Sequence, residues 1–335
     1  MAYGGGGGGG GSSGGGSASG GTAGGMAGGR GGSRAYKMSF MGDRAITLGG
    51  YGSPAHLDTI AYFDISTTGN ATDYSAELGS VHNGYSVVGN GSRAVAVGGV
   101  WGTSQADTME YTAIMTGQDA VDFGETVVTA ADSGGGLMDG VRGVTPGSGP
   151  PQDSGQAIEF ININTTSDGI DFGELSAPRD MPQSAGDGNR GVSIAGYSAT
   201  PPAAYGDHMD YITIGMNGNA IDFGESHQVR GRTSGHCSDG NRGMYTGGQN
   251  PGAIDTMGYI TIPTLSNGID FGELTDARGY SCHVSSGYRG VHIAGHDGGG
   301  AVNVIDYWHI GVVGSAMDFG DHVVATYASP SISGG

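Results

Sequence analysis

Cysteine, basic residues and long apolar runs are all scarce in this sequence of 335 residues. Cys237 and Cys282 are the only cysteines, and no repeated framework pairs them, so a disulfide between them stays open. The 13 Lys and Arg residues stand against 32 Asp and Glu residues, which gives a net charge of −19. This balance argues against nucleic acid and against an anionic membrane surface as partners.

Signals for membrane segments, helices and common catalytic sites are also missing. No run of 18 apolar residues predicts a membrane span, and no basic region followed by an apolar segment predicts a cleavable secretion signal. Apolar residues at helical spacing never persist for two turns. There is no cysteine cluster, no calcium-loop motif and no serine elbow between a strand and a helix. We therefore expect an all-β protein that is not an enzyme and that binds no cofactor or metal.

What the sequence does contain is a repeat of 48 to 51 residues, found six times. Each unit opens with an arginine and holds an aromatic residue 11 positions before an aspartate, in most units within Asp-Phe-Gly-Glu. The distance from arginine to aromatic varies from 17 to 21 residues, so this stretch contains a loop, whereas the fixed stretch predicts strand, tight turn and strand. The repeated residues are Arg44, Arg93, Arg142, Arg190, Arg242 and Arg289, with Asp73, Asp122, Asp171, Asp222, Asp270 and Asp318.

Four short strands per unit predict the blade of a β-propeller of the kelch size class. In the fourth unit we expect strands at 190–196, at 208–214 and from Ile221, with a fourth strand within 227–238. Six units predict six blades over residues 34–335. Either chain end could complete the last blade, and we expect the segment 35–41 to do so, because closure removes two open sheet edges.

Residues 1–33 precede the repeats and contain 19 glycines. A segment with so little to bury predicts a flexible tether, or else an arm whose glycine backbone packs inside an assembly. We expect it to attach the propeller to other proteins.

The repeats resemble the kelch-like repeats of virion structural proteins from tailed phages of marine bacteria, cyanophages above all. The segments that carry the resemblance are 69–73 (Gly-Asn-Ala-Thr-Asp), 210–214 (Asp-Tyr-Ile-Thr-Ile), 218–225 and 289–291 (Arg-Gly-Val). It covers about 300 residues. Unit one departs from it with Tyr74-Ser75 in place of Phe-Gly. Units one, two and five have a pair of glycines within six residues after the arginine, as at 49–50, and unit three has 146–148 in place of this glycine pair.

The repeated residues favour structure over chemistry, because a residue present in every unit is suited to holding each blade together. Each arginine can bind a neighbouring strand or carboxylate through its five donors. The aromatic after each aspartate is interpreted as a wedge between adjacent blades. We interpret His283, His292 and His296 as loop and strand surface, since 292 and 296 would lie about 13 Å apart on a strand. A calcium ion held by aspartates around the channel stays a weaker alternative.

The loop after the glycine pair differs from unit to unit. Aromatic residues and amides at such loop tips are typical of carbohydrate or protein recognition, although unconstrained divergence gives the same pattern. The candidate ligand-binding residues are Tyr51, Trp101, Tyr197 and His296.

The resemblance implies a virion component, made in the host cytoplasm and displayed on the particle surface as a tail fibre, an appendage or a capsid protein. Its arm would contact other virion proteins, and its propeller loops would contact a host-surface glycan or protein; a homo-oligomer is left open. Two alternatives are a purely architectural decoration protein with no host ligand and a secreted kelch-like enzyme acting on carbohydrate.

Overall fold

The structure is a computed structural model that describes residues 1, 4, 38, 41–81, 83–84, 86–101, 104–130, 134–148, 155–199 and 204–335. Within these residues every regular element is a strand, and no helix is long and apolar enough to cross a membrane. The predicted glycine-rich arm at 1–33 lies outside the described residues, apart from Met1 and Gly4.

The strands form small antiparallel sheets, which are the six blades of a β-propeller, as the sequence predicts. Blade I holds β1 (Arg44–Tyr51), β2 (His56–Asp64) and β3 (Thr72–Glu77); blade II holds β4 (Ser86–Gly89), β5 (Arg93–Val97), β6 (Val100–Trp101), β7 (Ser104–Ala113) and β8 (Val121–Ala130); blade III holds β9 (Leu137–Met138), β10 (Arg142–Ser148), β11 (Ala157–Asn162) and β12 (Ile170–Glu174).

The second half of the ring repeats this plan. Blade IV holds β13 (Gln183–Gly186), β14 (Arg190–Ser198), β15 (Ala204–Thr213) and β16 (Ile221–Arg230); β17 (Thr233–Gly235) precedes blade V, which holds β18 (Arg242–Thr246), β19 (Thr256–Thr261) and β20 (Ile269–Glu273); blade VI holds β21 (Ser281–Ser285), β22 (Arg289–His296), β23 (Ala301–His309) and β24 (Met317–Thr326); β25 (Ser331–Gly334) ends the chain.

Closure uses the opposite chain end from the one we expected. β25 pairs antiparallel with β1 and occupies the inner position of blade I, with Ile46 opposite Ile332. The expectation that 35–41 would fill this position was wrong. Of that segment the structure describes Met38 and Met41, which are buried and lie in no strand. The ring is therefore fastened by pairing its last strand with its first long strand, which covers a sheet edge.

Blade V is irregular at its inner edge. The predicted fourth strand within 227–238 forms only as β17, which pairs in parallel with β21 instead of with β18. The inner position of blade V is held by a single bridge between Ser238 and Gly243. Since inner segments run in parallel around the axis, β17 lies close enough to its neighbour in blade VI to pair with it.

Serine hydroxyls connect the inner segments around the axis. Ser333 donates to the carbonyl of Ser285, Ser285 to the carbonyl of Ser238, and Ser238 to the carbonyl of Gly186, over 2.6–2.9 Å. A cavity of about 10 Å³ near the axis is lined by Met41, Val87, Met138, His236, Ser331, Ile332 and Ser333. This is about the space of one water molecule, and no aspartate lines it.

In blades I, III, IV and VI the position of the glycine pair, or of the residues that replace it, forms a β-bulge on the second strand of the blade. In blade I the register shifts between Leu48 and Gly50, and Gly49 and Gly50 have φ values of 50° and 113°. A Cβ at Gly50 would lie 2.8 Å from the Cβ of Ser329 in the chain that enters the closing strand. The bulge thus makes room for the segment that crosses between blades.

Candidate binding surface

Each of the six repeated arginines bridges two blades. Its guanidinium lies 4.2–4.7 Å above the repeated aromatic ring of its own blade: Arg44 over Tyr62, Arg93 over Tyr111, Arg142 over Phe160, Arg190 over Tyr211, Arg242 over Tyr259 and Arg289 over Tyr307. In five units Nη1 also donates to the carbonyl of an isoleucine in the next blade: Ile163, Ile214, Ile262, Ile310 and Ile65. The contact between Arg289 and Ile65 joins the last blade to the first.

The first unit makes the same connection through a relay. Arg44 donates to the hydroxyl of Tyr74 over 2.8 Å, and Tyr74 donates to the carbonyl of Ile114 over 2.7 Å. Tyr74 stands where the other units have phenylalanine, and its ring stacks on Tyr62 at 4.2 Å. The departure noted in the sequence therefore replaces a direct hydrogen bond with one that passes through a phenol.

The phenylalanine after each repeated aspartate is a wedge between blades. Phe223 of blade IV packs with Tyr245, Ile260 and Ile262 of blade V, and the other four phenylalanines are buried in the same way against the next blade. The glycine that follows has φ between 136° and 149°, and at Gly173 a Cβ would lie 2.5 Å from the carbonyl oxygen of Gly218 in the next blade. Both facts require glycine at this position.

The six repeated aspartates are exposed at the outer strands. Asp222 accepts the backbone N–H of Gly224, and Asp73 accepts that of Ser75. These carboxylates therefore shape the turn at the wedge and point into solvent. They do not converge on a shared point, and in the described residues no group of three or more His, Cys, Asp or Glu side chains is placed to hold a metal ion.

A second set of contacts between blades was missed by sequence reasoning. The residue before the repeated aromatic is acidic in four units, and its carboxylate accepts hydrogen bonds from the chain leaving the previous blade. Glu159 accepts the N–H groups of Val127 and Val128 over 2.9 and 3.1 Å, and burial raises its pKa. The corresponding residues are Glu110, Asp210 and Asp306. The acidic residue before four of the six repeated aromatics was the available signal.

Two of these acceptors also bind a buried arginine. Arg179 pairs with Asp210, and Arg278 pairs with Asp306. Burial lowers the pKa of both arginines, while the paired carboxylate counteracts that shift. Ser176 lies beside the first pair and donates to Asp210 over 2.7 Å, and the Nε2 atom of His208 contacts both groups. Because one ring nitrogen faces both the serine and the aspartate, this is a structural cluster and not a catalytic relay.

Two buried histidines correct the surface interpretation. His283 and His292 are fully buried, not exposed as expected, whereas His296 is half-buried at the end of β22. His283 and His292 face each other on β21 and β22, and the Oγ1 atom of Thr246 lies 3.2 and 2.9 Å from their Nδ1 atoms. Burial lowers the pKa of His283 to about 3 and that of His292 well below its usual value.

Both cysteines are buried free thiols. Burial raises the pKa of Cys237 far above its ordinary value and that of Cys282 to about 11. A thiol in this protonated, enclosed state is a small apolar group and not a nucleophile.

Three of the predicted ligand-binding residues lie on the same side of the propeller, where the second and third strands of each blade are joined. Tyr51 and His296 come together because both rings contact Tyr327, at 5.1 and 5.5 Å between centroids. Tyr280 lies 5.8 Å from Tyr327. Burial raises the pKa of Tyr327, and Tyr51 adds to that shift.

Arg232 extends this group to Tyr197. Its guanidinium lies 4.3 Å from the ring centroid of Tyr197 and 5.1 Å from that of Tyr280, and it also binds the hydroxyl of Tyr280. Tyr205 lies 5.0 Å from Tyr197. We call this half-buried set the aromatic arc; it comprises Tyr51, His56, Tyr197, Tyr205, Arg232, Tyr280, His296 and Tyr327.

Backbone conformation places part of the arc. Arg232 and Tyr280 have φ values of 60° and 50°, in the left-handed region, as do Met181 and Ala328 at the same position of other units. Such a conformation is strained for residues other than glycine. Arg232 and Tyr280 reach the arc from the segments that cross between blades, so a search of the loop tips alone does not find them.

The remaining candidate, Trp101, ends β6, which pairs with β7 in blade II. Its side chain lies outside the described part of the structure. The arc therefore contains three of the four predicted residues and spans blades IV to VI and blade I.

Comparison with protein-family models and with curated proteins gives no match.

Proposed function

We propose that this protein is an adhesive structural component of a phage particle, displayed on the particle surface, and that it binds a host-surface glycan or protein through the aromatic arc. The phage assignment is supported by the resemblance of its kelch-like repeats. The adhesive role is carried by the arc: half-buried tyrosines offer flat apolar faces with polar edges, which suit sugar rings and protein surfaces.

The geometry of the arc favours binding over chemistry. Its tyrosines are held by their neighbours, and Tyr205 donates to the side-chain oxygen of Gln249 over 3.2 Å, which places an amide beside an aromatic ring. Rings fixed in this way lose little conformational entropy when a ligand binds. The arm at 1–33 would attach the propeller to other virion proteins after synthesis in the host cytoplasm.

Adhesion is tested with the purified full-length protein on intact cells of the host and on a glycan array. The double variant Tyr51→Ala, Tyr327→Ala should reduce binding on the order of tenfold, since each ring contributes about 0.5–1.5 kcal/mol. Tyr288→Ala is the matched control, because Tyr288 is 61% exposed but lies at the turn before β22, on the other side of the blade. Equal binding by the double variant and the wild type would remove the arc from the proposal.

A purely architectural role is the second candidate, and exposed apolar residues favour it. Met216 and Val312 are 70% and 68% exposed in the loops between the third and fourth strands, and Leu265 is 57% exposed in the same loop of blade V. Such a row suits contact with another protein of the particle. Here the prediction is that Met216→Ser with Val312→Ser reduces incorporation into particles, while the double tyrosine variant is incorporated normally.

A further inference from the structure

A cleft lies between blades II and III, on the side opposite the aromatic arc. It has a volume of about 310 Å³ and is lined by Asn90, Ser92, Arg93, Tyr111, Thr112, Ala113, Gln118 and Asn164. This is at the lower end of the range for small-molecule sites. Its size therefore fits one ring of monosaccharide dimensions.

Side-chain amides supply most of the polar groups in this cleft, and they are held in place. The Oδ1 atom of Asn90 accepts the N–H groups of Ser92 and Arg93, and its Nδ2 atom donates to Oδ1 of Asn164 over 2.9 Å. One N–H of Asn90 and the amide nitrogen of Asn164 stay available. The exposed side chain of Gln118 makes no hydrogen bond to the described residues. Donors and acceptors at these spacings can bind adjacent hydroxyl groups.

The cleft contains one cation and no carboxylate. Arg93 lies 4.2 Å above Tyr111 and uses Nη1 to bind the carbonyl of Ile163, so its other N–H groups are available to a ligand. In blade III, Nη1 of Arg142 is shared between the carbonyl of Ile214 and Oδ1 of Asn217, so a polar side chain already lies beside that guanidinium. Two acidic residues adjoin lining residues along the chain, Glu110 and Asp119. Glu110 accepts the N–H of Gly79, Asp119 accepts the N–H of Glu77, and neither lines the cleft.

Comparison with the other blades shows what is different here. The position of Asn90 is aspartate in three blades, where Asp139, Asp187 and Asp239 accept the same backbone N–H groups. Those carboxylates would repel an anion close to the neighbouring arginine. Blade II keeps the turn but removes the charge, in a chain whose net charge is −19.

We infer that this cleft binds a carboxylate-bearing monosaccharide unit, a uronic acid. Its carboxylate contacts Arg93, and its ring hydroxyls contact the amides of Asn90, Asn164 and Gln118. A charged guanidinium in a partly enclosed cleft recognises a planar carboxylate better than a neutral group does. The site lies apart from the aromatic arc, so it stands whether or not the arc binds a host ligand.

Binding is measured by calorimetry and by ligand-observed NMR on the full-length protein, with methyl glucuronide as the probe and methyl glucoside as its neutral counterpart. We expect the glucuronide to bind with a dissociation constant on the order of 1 mM, and the glucoside at least about tenfold more weakly. No glucuronide binding up to about 20 mM, or equal binding of both sugars, would overturn the inference.

Asn90→Asp is the decisive variant. It retains the turn, as the aspartates of three other blades show, and it places a negative charge beside Arg93. We expect glucuronide affinity to fall at least about tenfold. The matched control is Asn219→Asp, which adds the same charge on the same side of the propeller, at a position where Asp168 serves the preceding joint between blades. It should change affinity less than about twofold; wild-type affinity in Asn90→Asp would overturn the inference.

Gln118→Ala is a second variant that tests the proposal and should have a smaller effect. Because this exposed side chain makes no hydrogen bond to the described residues, its loss should not change the thermal unfolding midpoint. Glucuronide affinity should fall about threefold, as for one hydrogen bond. Unchanged affinity would remove Gln118 from the site and contradict the proposed orientation of the sugar.

Discussion

The two fully buried histidines predict that the propeller loses stability in mild acid. His283 and His292 have no solvent contact, and both rings lie beside Thr246. Burial is the main cause of their lowered pKa values; His236 adds to the shift of His283, and Arg278 adds to that of His292. To become charged, these side chains must leave the core.

The sign and size of this loss of stability follow from proton linkage. A group whose pKa is lower in the folded protein stabilises the fold above its unfolded pKa of 6.5, and this stability is lost as pH falls toward the folded value, about 3 for His283. At about 1.4 kcal/mol per pH unit, acidification to pH 5 removes about 2 kcal/mol for each histidine, or about 4 kcal/mol for the pair. A typical domain has about 5–15 kcal/mol in total.

Buried carboxyl groups act in the opposite direction. Burial raises the pKa values of Glu110, Glu159 and Asp306 above 4.5, 4.5 and 3.8 respectively. Their contribution to stability is full below those unfolded values and is lost as pH rises through the folded ones. They therefore offset part of the histidine effect near pH 5, and the window from pH 6.5 to 5.5 isolates the histidines best.

The assay is urea unfolding followed by circular dichroism at several pH values between 7.5 and 5. The wild-type free energy of unfolding should fall with a slope to which this pair contributes up to two protons taken up per molecule, and His292→Gln should remove about one of them. His236 and His322, whose pKa values burial also lowers, add to the wild-type slope and are unchanged in the variant. The control Val291→Ala opens a cavity on the same strand and should lower stability at every pH without changing the slope. A wild-type slope near zero between pH 6.5 and 5.5 would refute the reasoning.

Three further predictions concern the joints between blades and are read as shifts in the urea midpoint. Gly173→Ala should lower the free energy of unfolding by about 2 kcal/mol, because the added Cβ meets the next blade. Gly218→Ala, at a glycine with a similar φ but open space around it, should cost about half as much. Equal losses of stability in the two variants would contradict the close-approach argument. Tyr74→Phe should lower the free energy of unfolding by about 1–3 kcal/mol, because it breaks the relay from Arg44 to Ile114. The control Tyr62→Phe should cost under about 0.5 kcal/mol. Unchanged stability in Tyr74→Phe would show that the relay is not needed. Arg190→Lys should lower the free energy of unfolding by about 1–3 kcal/mol, since lysine cannot keep both the contact with the ring of Tyr211 and the hydrogen bond to Ile262. Wild-type stability in this variant would argue against the bridging role of the arginine.

The number of blades and the position of their long strands could be predicted from the sequence because they depend on a period that repeats along the chain. The fixed distance of 11 residues from aromatic to aspartate became two strands joined by a loop of constant length, as between Asp64 and Thr72 in blade I. The tight turn expected there is a longer loop, which begins at the isoleucine that receives the arginine of the previous blade.

The features that could not be predicted depend on contacts distant in the sequence. Which end closes the ring depends on whether 35–41 or β25 fits beside β1, and both occupy the same position in the repeat. The burial of His283 and His292 was missed because a histidine on a strand gives no sign of which face it lies on. The aromatic arc was found only in part, because Tyr280 and Tyr327 come from segments between blades, which the comparison of loop tips did not include.

The joints between blades combine a constant part with a variable part, and the variable part makes each joint specific to its two blades. Every joint has the arginine bridge, so this contact alone does not distinguish one joint from another. The second contact differs: the joint into blade III uses Glu159, the joint into blade V uses Tyr245 with His227, and the joint into blade I uses Thr47 with His322. A carboxylate placed opposite a phenol would leave a buried group without its partner, at a cost of about 1–3 kcal/mol. The constant contacts therefore make a propeller, and the variable ones make each joint specific for the two blades that it connects.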